Sequence, residues 1–89
     1  MILAYKDIVA FLPVTIDGVV VHAATNKPIS GLHVFTKKGE EEAFTNSKGV
    51  FHFTSWQALP LIITIQQPGG VKKTIRVTGT PVKLHIEFP

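Results

Sequence analysis

The sequence predicts an all-β fold in which short strands form a two-sheet sandwich. Val, Ile, Thr, Phe, Tyr and Trp supply 36 of the 89 residues, and these branched and aromatic side chains favour strands. Turn signals recur about every 8–12 residues, as is typical of small sandwiches and barrels. With 45% hydrophobic and 17% charged residues, a chain of this length predicts one packed domain.

Alternation of apolar and polar residues predicts the strands in order. It is clearest in 82–88, where Val82, Leu84, Ile86 and Phe88 alternate with polar residues. The predicted strands are 16–22, 31–37, 41–45, 50–54, 61–67, 71–77 and 82–88. No stretch has a convincing helical period, although 55–60 is compatible with a single helical turn.

Turn residues predict how these strands are connected. Asn46 and Gly49 suit a type I turn that is closed by a left-handed glycine, and Gly31 also suits a conformation that a Cβ would hinder. In 67–70 a Pro precedes a Gly, which predicts a type II turn. The four residues 78–81 predict a hairpin in which Val77 lies opposite Val82.

Composition argues against several classes of function. The chain has no cysteine, so it has no disulfide, thiolate nucleophile or cysteine-based zinc site. Its net charge is +3, but Arg76 is the single arginine, so we interpret the charge as solubility rather than as a nucleic-acid surface. No uncharged apolar run approaches 18 residues, and we predict no membrane insertion.

The N-terminal segment 1–14 is apolar around Lys6 and Asp7, a charge placement unlike that of a signal peptide. We therefore separate it from a sandwich domain over 15–89. Val19 and Val21 fall on the strand face opposite the predicted core. We expect residues 1–14 to cover that face or to pair along a sheet edge, in the same chain or in a homo-oligomer. An ordinary eighth strand within the monomer is the alternative.

Three segments carry a family resemblance: Asp-Gly-Val-Val-Val at 17–21, Thr-Asn-Lys-Pro-Ile-Ser-Gly-Leu-His-Val at 25–34, and Thr-Asn-Ser-Lys-Gly-Val-Phe-His-Phe at 45–53. This pattern resembles the carboxypeptidase regulatory-like domain, a seven-stranded, transthyretin-like (prealbumin-like) sandwich of the Ig-like kind. The chain departs from the family at His22, Leu32 and Asn46, where an acid, Ala and Asp are frequent.

The resemblance implies a non-catalytic accessory domain. Members of the family are appendages of metallocarboxypeptidases, of surface enzymes and of TonB-dependent outer-membrane receptors. The implied location is the cell envelope or the extracellular space, and the implied partner is another protein or another domain of the parent protein. Such an argument from fold is an analogy.

The residues themselves predict no catalytic, cofactor or metal site. His22, His33, His52 and His85 are expected to be solvated, because their spacing does not bring ligands together. Ser30, Ser47 and Ser55 lack a nucleophile elbow. Glu40, Glu41 and Glu42 are interpreted as a solvated hairpin edge. The Tyr-Arg-Gly-Ser ending of the transthyretin-like hydrolases is missing from the final residues 85–89.

Two hypotheses of function follow. The first is a non-enzymatic module that presents a surface to a protein partner. The alternative is a carbohydrate-binding module of the starch-binding-like type, in which Trp56, with Tyr5 and Phe44, offers a stacking platform for sugar rings. A single tryptophan that covers the end of the sandwich is the structural alternative for Trp56.

Overall fold

The computed structural model describes residues 13–89, and it confirms the all-β prediction. The strands are β1 (Val14–His22), β2 (His33–Lys37), β3 (Glu41–Phe44), β4 (Val50–Ser55), β5 (Leu61–Gln66), β6 (Lys72–Val77) and β7 (Val82–Phe88). Every strand lies within two residues of its predicted bounds. The helical turn that the sequence allows over 55–60 does not form, because β4 continues to Ser55 and bends follow it. Within residues 13–89 no helix is long and apolar enough to cross a membrane.

The seven strands form two sheets. The three-stranded sheet has the order β4-β1-β7, and the four-stranded sheet has the order β3-β2-β5-β6. The hydrophobic core lies between them and takes Ile16, Val20 and Phe51 from the first sheet and Val34 and Ile63 from the second. Burying alternate residues of both sheets stabilises the sandwich, at about 25 cal/mol per Å² of apolar surface removed from water.

The predicted hairpin between the last two strands is wrong. The chain crosses between the sheets after Val77, so that β6 pairs with β5 whereas β7 pairs with β1 in parallel. Val82 lies beside Ile16 and not beside Val77. The polar–apolar pattern is the same for both arrangements, since Ile75 and Leu84 pack against the core from opposite sheets.

Glycines set two close approaches of the backbone. Gly49 has a φ of 74°, as predicted, and a Cβ there would lie 2.4 Å from the carbonyl oxygen of Val20. Gly18 leaves room for the Phe51 ring, which would lie 2.5 Å from a Cβ. In the turn over 67–70 the positive φ belongs to Gly70 rather than to Gly69, so the predicted type II turn is wrong.

Residues 1–12 lie outside the described residues, and so does most of the predicted N-terminal segment. Its covering or pairing role therefore stays a prediction. Val21, expected to need a cover, is 6% exposed, and its main chain forms a bridge to Pro28. Val19 is half-buried in a shallow groove that it shares with Lys83 and His85.

Candidate functional site

Glu41 is a buried carboxylate at the side of the sandwich where β3 and β4 meet. Its Oε1 accepts hydrogen bonds from Thr36 Oγ1 (2.6 Å), Ser55 Oγ (2.7 Å) and Gln57 Nε2 (2.8 Å), while its Oε2 accepts one from the main-chain N–H of Trp56 (2.7 Å). The bonds from Ser55, Trp56 and Gln57 connect Glu41 to the end of β4 in the facing sheet, whereas Thr36 belongs to β2 in the same sheet as Glu41. We call Glu41, Thr36, Ser55, Gln57 and the Trp56 amide the Glu41 cluster.

The cluster holds Glu41 in its ionised form. Burial works to raise the pKa of Glu41, but hydrogen bonds from Thr36, Trp56, Gln57 and Ser55 outweigh it and lower the pKa to about 2. A carboxylate with so low a pKa is a poor general base at neutral pH. The cluster therefore fits a structural role, in which it connects the two sheets.

The prediction that Glu40, Glu41 and Glu42 form a solvated edge is wrong for two of the three. Glu41 is 9% exposed, and Glu42 is half-buried beside His33. Glu40 is exposed and lies 3.8 Å from Lys37. Three consecutive acids show no alternation in the sequence. In the strand, however, successive side chains point to opposite faces, so Glu41 points inward.

His33 is held between aromatic rings on the outer face of the four-stranded sheet. Its ring is stacked on Phe44, with centroids 4.5 Å apart and planes within 7°, and it contacts Phe35 at 4.7 Å. Its Nε2 donates to Glu42 Oε1 at 2.6 Å. Hydrogen bonds from the Gly39 amide and from His33 lower the pKa of Glu42. The prediction of a solvated His33 is therefore wrong.

The other histidines lie elsewhere. His52 donates from Nδ1 to Asp17 on the outer face of the three-stranded sheet, where His52 is exposed and Asp17 is half-buried. His85 is exposed in β7, and His22 is exposed at the end of β1. No group of three His, Asp or Glu side chains suited to a metal ion occurs among residues 13–89.

The outer face of the four-stranded sheet carries a row of exposed apolar side chains. Phe44 is 60% exposed and Ile62 is 52% exposed, and the half-buried Phe35 lies between their positions in the sheet. We call His33, Phe35, Phe44 and Ile62 the contact face. It is bordered by an open cleft of roughly 270 Å³ between Phe44 and the turn at 66–68. Exposed apolar groups that gather on one face are typical of interaction sites.

Basic residues border the contact face along β6. Arg76 lies opposite Ile62, and Lys72 lies opposite Gln66. Both cations are exposed, and neither belongs to a salt bridge among the described residues. The border therefore carries positive charge that is not neutralised by that part of the chain.

Trp56 and Phe44, the two residues of the predicted sugar platform that the structure describes, lie at different ends of β3. Trp56 is 63% exposed and is anchored through its amide to Glu41 at the start of β3. Phe44 ends that strand, about 10 Å further along at about 3.3 Å per residue. Tyr5 lies outside the described residues. Trp56 does not act as a buried cover for the sandwich, because most of its surface is exposed.

Sequence reasoning missed the roles of Glu41 and Ser55. Ser55 is fully buried and accepts a hydrogen bond from the Gln57 amide, whereas we expected it in a turn. The signal for Glu41 was the alternation within 41–45. Glu41 is two residues before Ala43, so the two side chains point to the same, inward face of the strand.

The described geometry thus contains one connecting carboxylate cluster and one aromatic contact face. Comparison of the chain with protein-family models, with curated proteins and with solved structures finds no match in any of the three.

Proposed function

We propose that this protein is a non-catalytic β-sandwich module that binds a protein partner through the contact face. The observation that supports it is the Phe44 ring, which is 60% exposed yet held in one orientation by stacking on His33. A large aromatic side chain fixed at a surface resembles the anchors that dominate binding energy at protein interfaces.

The surroundings of Phe44 reduce the entropy that binding would cost. Glu42 fixes the His33 ring by a hydrogen bond of 2.6 Å, and Phe35 packs on its side. Because these rings are already ordered, less freedom is lost when a partner packs on them. Ile62 extends the apolar area across the sheet.

The proposal includes the finer assignment to a transthyretin-like, carboxypeptidase regulatory-like sandwich. The family motif has one glycine in its loop and one in its hairpin, and these correspond to Gly31 and Gly49. Both have a positive φ, a conformation that favours glycine, and this supports the assignment. Such a module serves as an accessory to a larger protein or assembly of the cell envelope.

Site-specific photo-crosslinking tests the contact face. A photoreactive phenylalanine at Ile62, in the cells that make the protein, is expected to capture one main protein species. The same group at Val50, an exposed apolar residue of the other sheet, is the matched control. Phe44→Ser should reduce capture at position 62 by about tenfold or more, since anchor residues contribute about 2 kcal/mol or more. Equal capture from both positions would contradict the proposal.

A carbohydrate-binding module that uses Trp56 is the second candidate. The observation that favours it is an exposed indole on a loop that the Glu41 cluster anchors. Trp56 is the single tryptophan, so its fluorescence reports on this site alone. Titration with a panel of polysaccharides should shift its emission. An unchanged spectrum with every polysaccharide removes this candidate.

A further inference from the structure

The structure offers a second surface beside the contact face, namely the edge of β6. β6 is the last strand of the four-stranded sheet and pairs with β5 at six consecutive positions without a bulge. An edge strand presents main-chain N–H and C=O groups that another extended chain can pair with.

The register shows which groups are free. The Gln67 amide donates to Val71 O at 2.8 Å and closes the turn before β6. Hydrogen-bonded pairs alternate with non-bonded pairs in an antiparallel ladder, so Lys73, Ile75 and Val77 bond to β5. The N–H and C=O groups of alternate residues then point away from the sheet. Those residues are Lys72, Thr74 and Arg76.

The other edges of the described sandwich are less open to pairing. β3 has four residues, and the register of its neighbour shifts between Phe35 and Lys37. In β7 the Ala23 amide bonds to Phe88 O, so Glu87 O points to the free edge. That oxygen accepts a hydrogen bond of 2.5 Å from Lys73 Nζ. β4 is as long as β6, but the outward N–H and C=O groups of Val50 bond to Asn46, so its free edge is reduced to His52 and Thr54. The edge of β6, with three residues, is therefore the longest free template among the described strands.

The charge of β6 indicates which kind of extended chain can pair with its edge. Its three cations are Lys72, Lys73 and Arg76, and the strand contains no acid. In a second copy paired antiparallel about Thr74, Lys72 would lie opposite Arg76, and like charges directly opposite each other are destabilising. An extended segment with acids at two positions four residues apart would instead pair with both cations.

We propose that the edge of β6 binds an acidic extended peptide segment of a partner protein as an added strand of the four-stranded sheet. This inference rests on the proposed protein-contact function and names how the partner attaches. The acids of the segment face Lys72 and Arg76 on the side of the sheet that carries the contact face. Its inward residues pack near Ile75, which is half-buried at the uncovered side of the sandwich.

Amide NMR with synthetic peptides tests the proposal on the whole chain. The probe is a peptide with the core Glu-Val-Thr-Ser-Glu, and its control has the core Lys-Val-Thr-Ser-Lys. We expect the acidic peptide to shift the amides of Lys72, Thr74 and Arg76 more than those of Lys73 and Ile75. It should bind at least about fivefold more tightly than the basic one, because two cross-strand charge pairs change sign.

Two variants separate strand addition from plain charge attraction. Thr74→Pro removes a free-edge N–H without removing a bond to β5, a placement in which edge strands accommodate proline. It should abolish binding while thermal unfolding remains cooperative. The double variant Lys72→Glu and Arg76→Glu keeps the main chain and should reverse the preference towards the basic peptide.

The results distinguish this inference from the proposed function. Three results would overturn strand addition. They are the absence of amide shifts, equal binding of the two peptides, and unchanged peptide binding by a folded Thr74→Pro variant. Loss of crosslinking at Ile62 by Phe44→Ser would still support the contact face in that case. Alternating shifts along β6 without selective capture at Ile62 would support the edge and contradict the contact face.

Discussion

The two long sides of the sandwich are built differently. On the closed side, β3 and β4 are joined by the short turn between Phe44 and Val50, and the Glu41 cluster adds three hydrogen bonds from residues 55–57 at the end of β4 to Glu41 in the other sheet. On the open side, β6 and β7 end separate sheets, and the hydrogen bond from Lys73 Nζ to Glu87 O spans them. The closed side satisfies its buried carboxylate internally, whereas the open side leaves a longer run of main-chain groups for a partner.

This difference assigns stability and binding to opposite sides of one small domain. A buried ionised group is tolerated where hydrogen bonds satisfy it, and removing it leaves its donors unsatisfied. An exposed edge carries little of the folding energy, since few contacts depend on it. Substitutions on the closed side should therefore reduce the free energy of unfolding, and those on the open side should mainly change association.

The largest expected loss comes from Gly49→Ala in the turn of the closed side. The left-handed conformation costs about 1–2 kcal/mol for a residue with a Cβ. The clash of that Cβ with Val20 O adds about 1–3 kcal/mol of overpacking. Urea unfolding followed by tryptophan fluorescence should show a loss of roughly 2–5 kcal/mol.

Gly70→Ala is the matched control on the open side. Gly70 has a φ of 97°, and a Cβ there meets no atom within 4 Å. Its loss should be confined to the conformational cost of about 1–2 kcal/mol. Equal losses for the two variants would show that the main chain near Val20 O moves enough to relieve the clash. That result would contradict a rigid closed side.

The next effect is a loss of stability in acid. The pKa of Glu41 is about 2 in the folded protein and about 4.5 in its ordinary state. Because the folded pKa is the lower one, the stabilisation is complete above about pH 4.5 and is lost as the pH falls towards 2. At about 1.4 kcal/mol per pH unit, the shift corresponds to as much as about 3 kcal/mol.

Two neutral variants check the source of that pH dependence. Glu41→Gln should already be less stable by about 2 kcal/mol at neutral pH, because its amide cannot accept the same four hydrogen bonds. Its stability should then change less between pH 5 and pH 2.5 than that of the unchanged protein. Glu40→Gln, at an exposed carboxylate, should keep the full pH dependence. A parallel decline of all three proteins would contradict the role of Glu41.

The elements of this fold could be predicted because alternation and turn residues are local signals. All seven strands and the left-handed Gly31 and Gly49 were predicted in this way. Pairing of strands is not local. Ile75 and Leu84 have the same pattern whether their strands form a hairpin or end two sheets, so β7 was assigned to the wrong neighbour.

The candidate site was less predictable for a related physical reason. Phe44 and Trp56 stood out as aromatic residues, but stacking of Phe44 on His33 depends on a pairing across β2 and β3. Glu41 was hidden in a charge run, because composition does not show which of three acids faces inward. The sequence-based prediction of a protein-contact module has no test in the fold itself and remains a proposal.

The smallest expected change in stability comes from Lys73→Met on the open side. Met keeps most of the apolar stem of Lys73 but cannot donate to Glu87 O, so the free energy of unfolding should change by about 1 kcal/mol or less. An inward-pointing charge on an edge strand is a known protection against unwanted pairing. Loss of that charge should therefore raise self-association, measured by sedimentation velocity over a series of concentrations. Lys48→Met removes an equal charge from the exposed turn before β4 and leaves β6 unchanged, so it should associate less than Lys73→Met. If Lys48→Met associates as strongly, then net charge, and not the contact between Lys73 and Glu87, protects the open side.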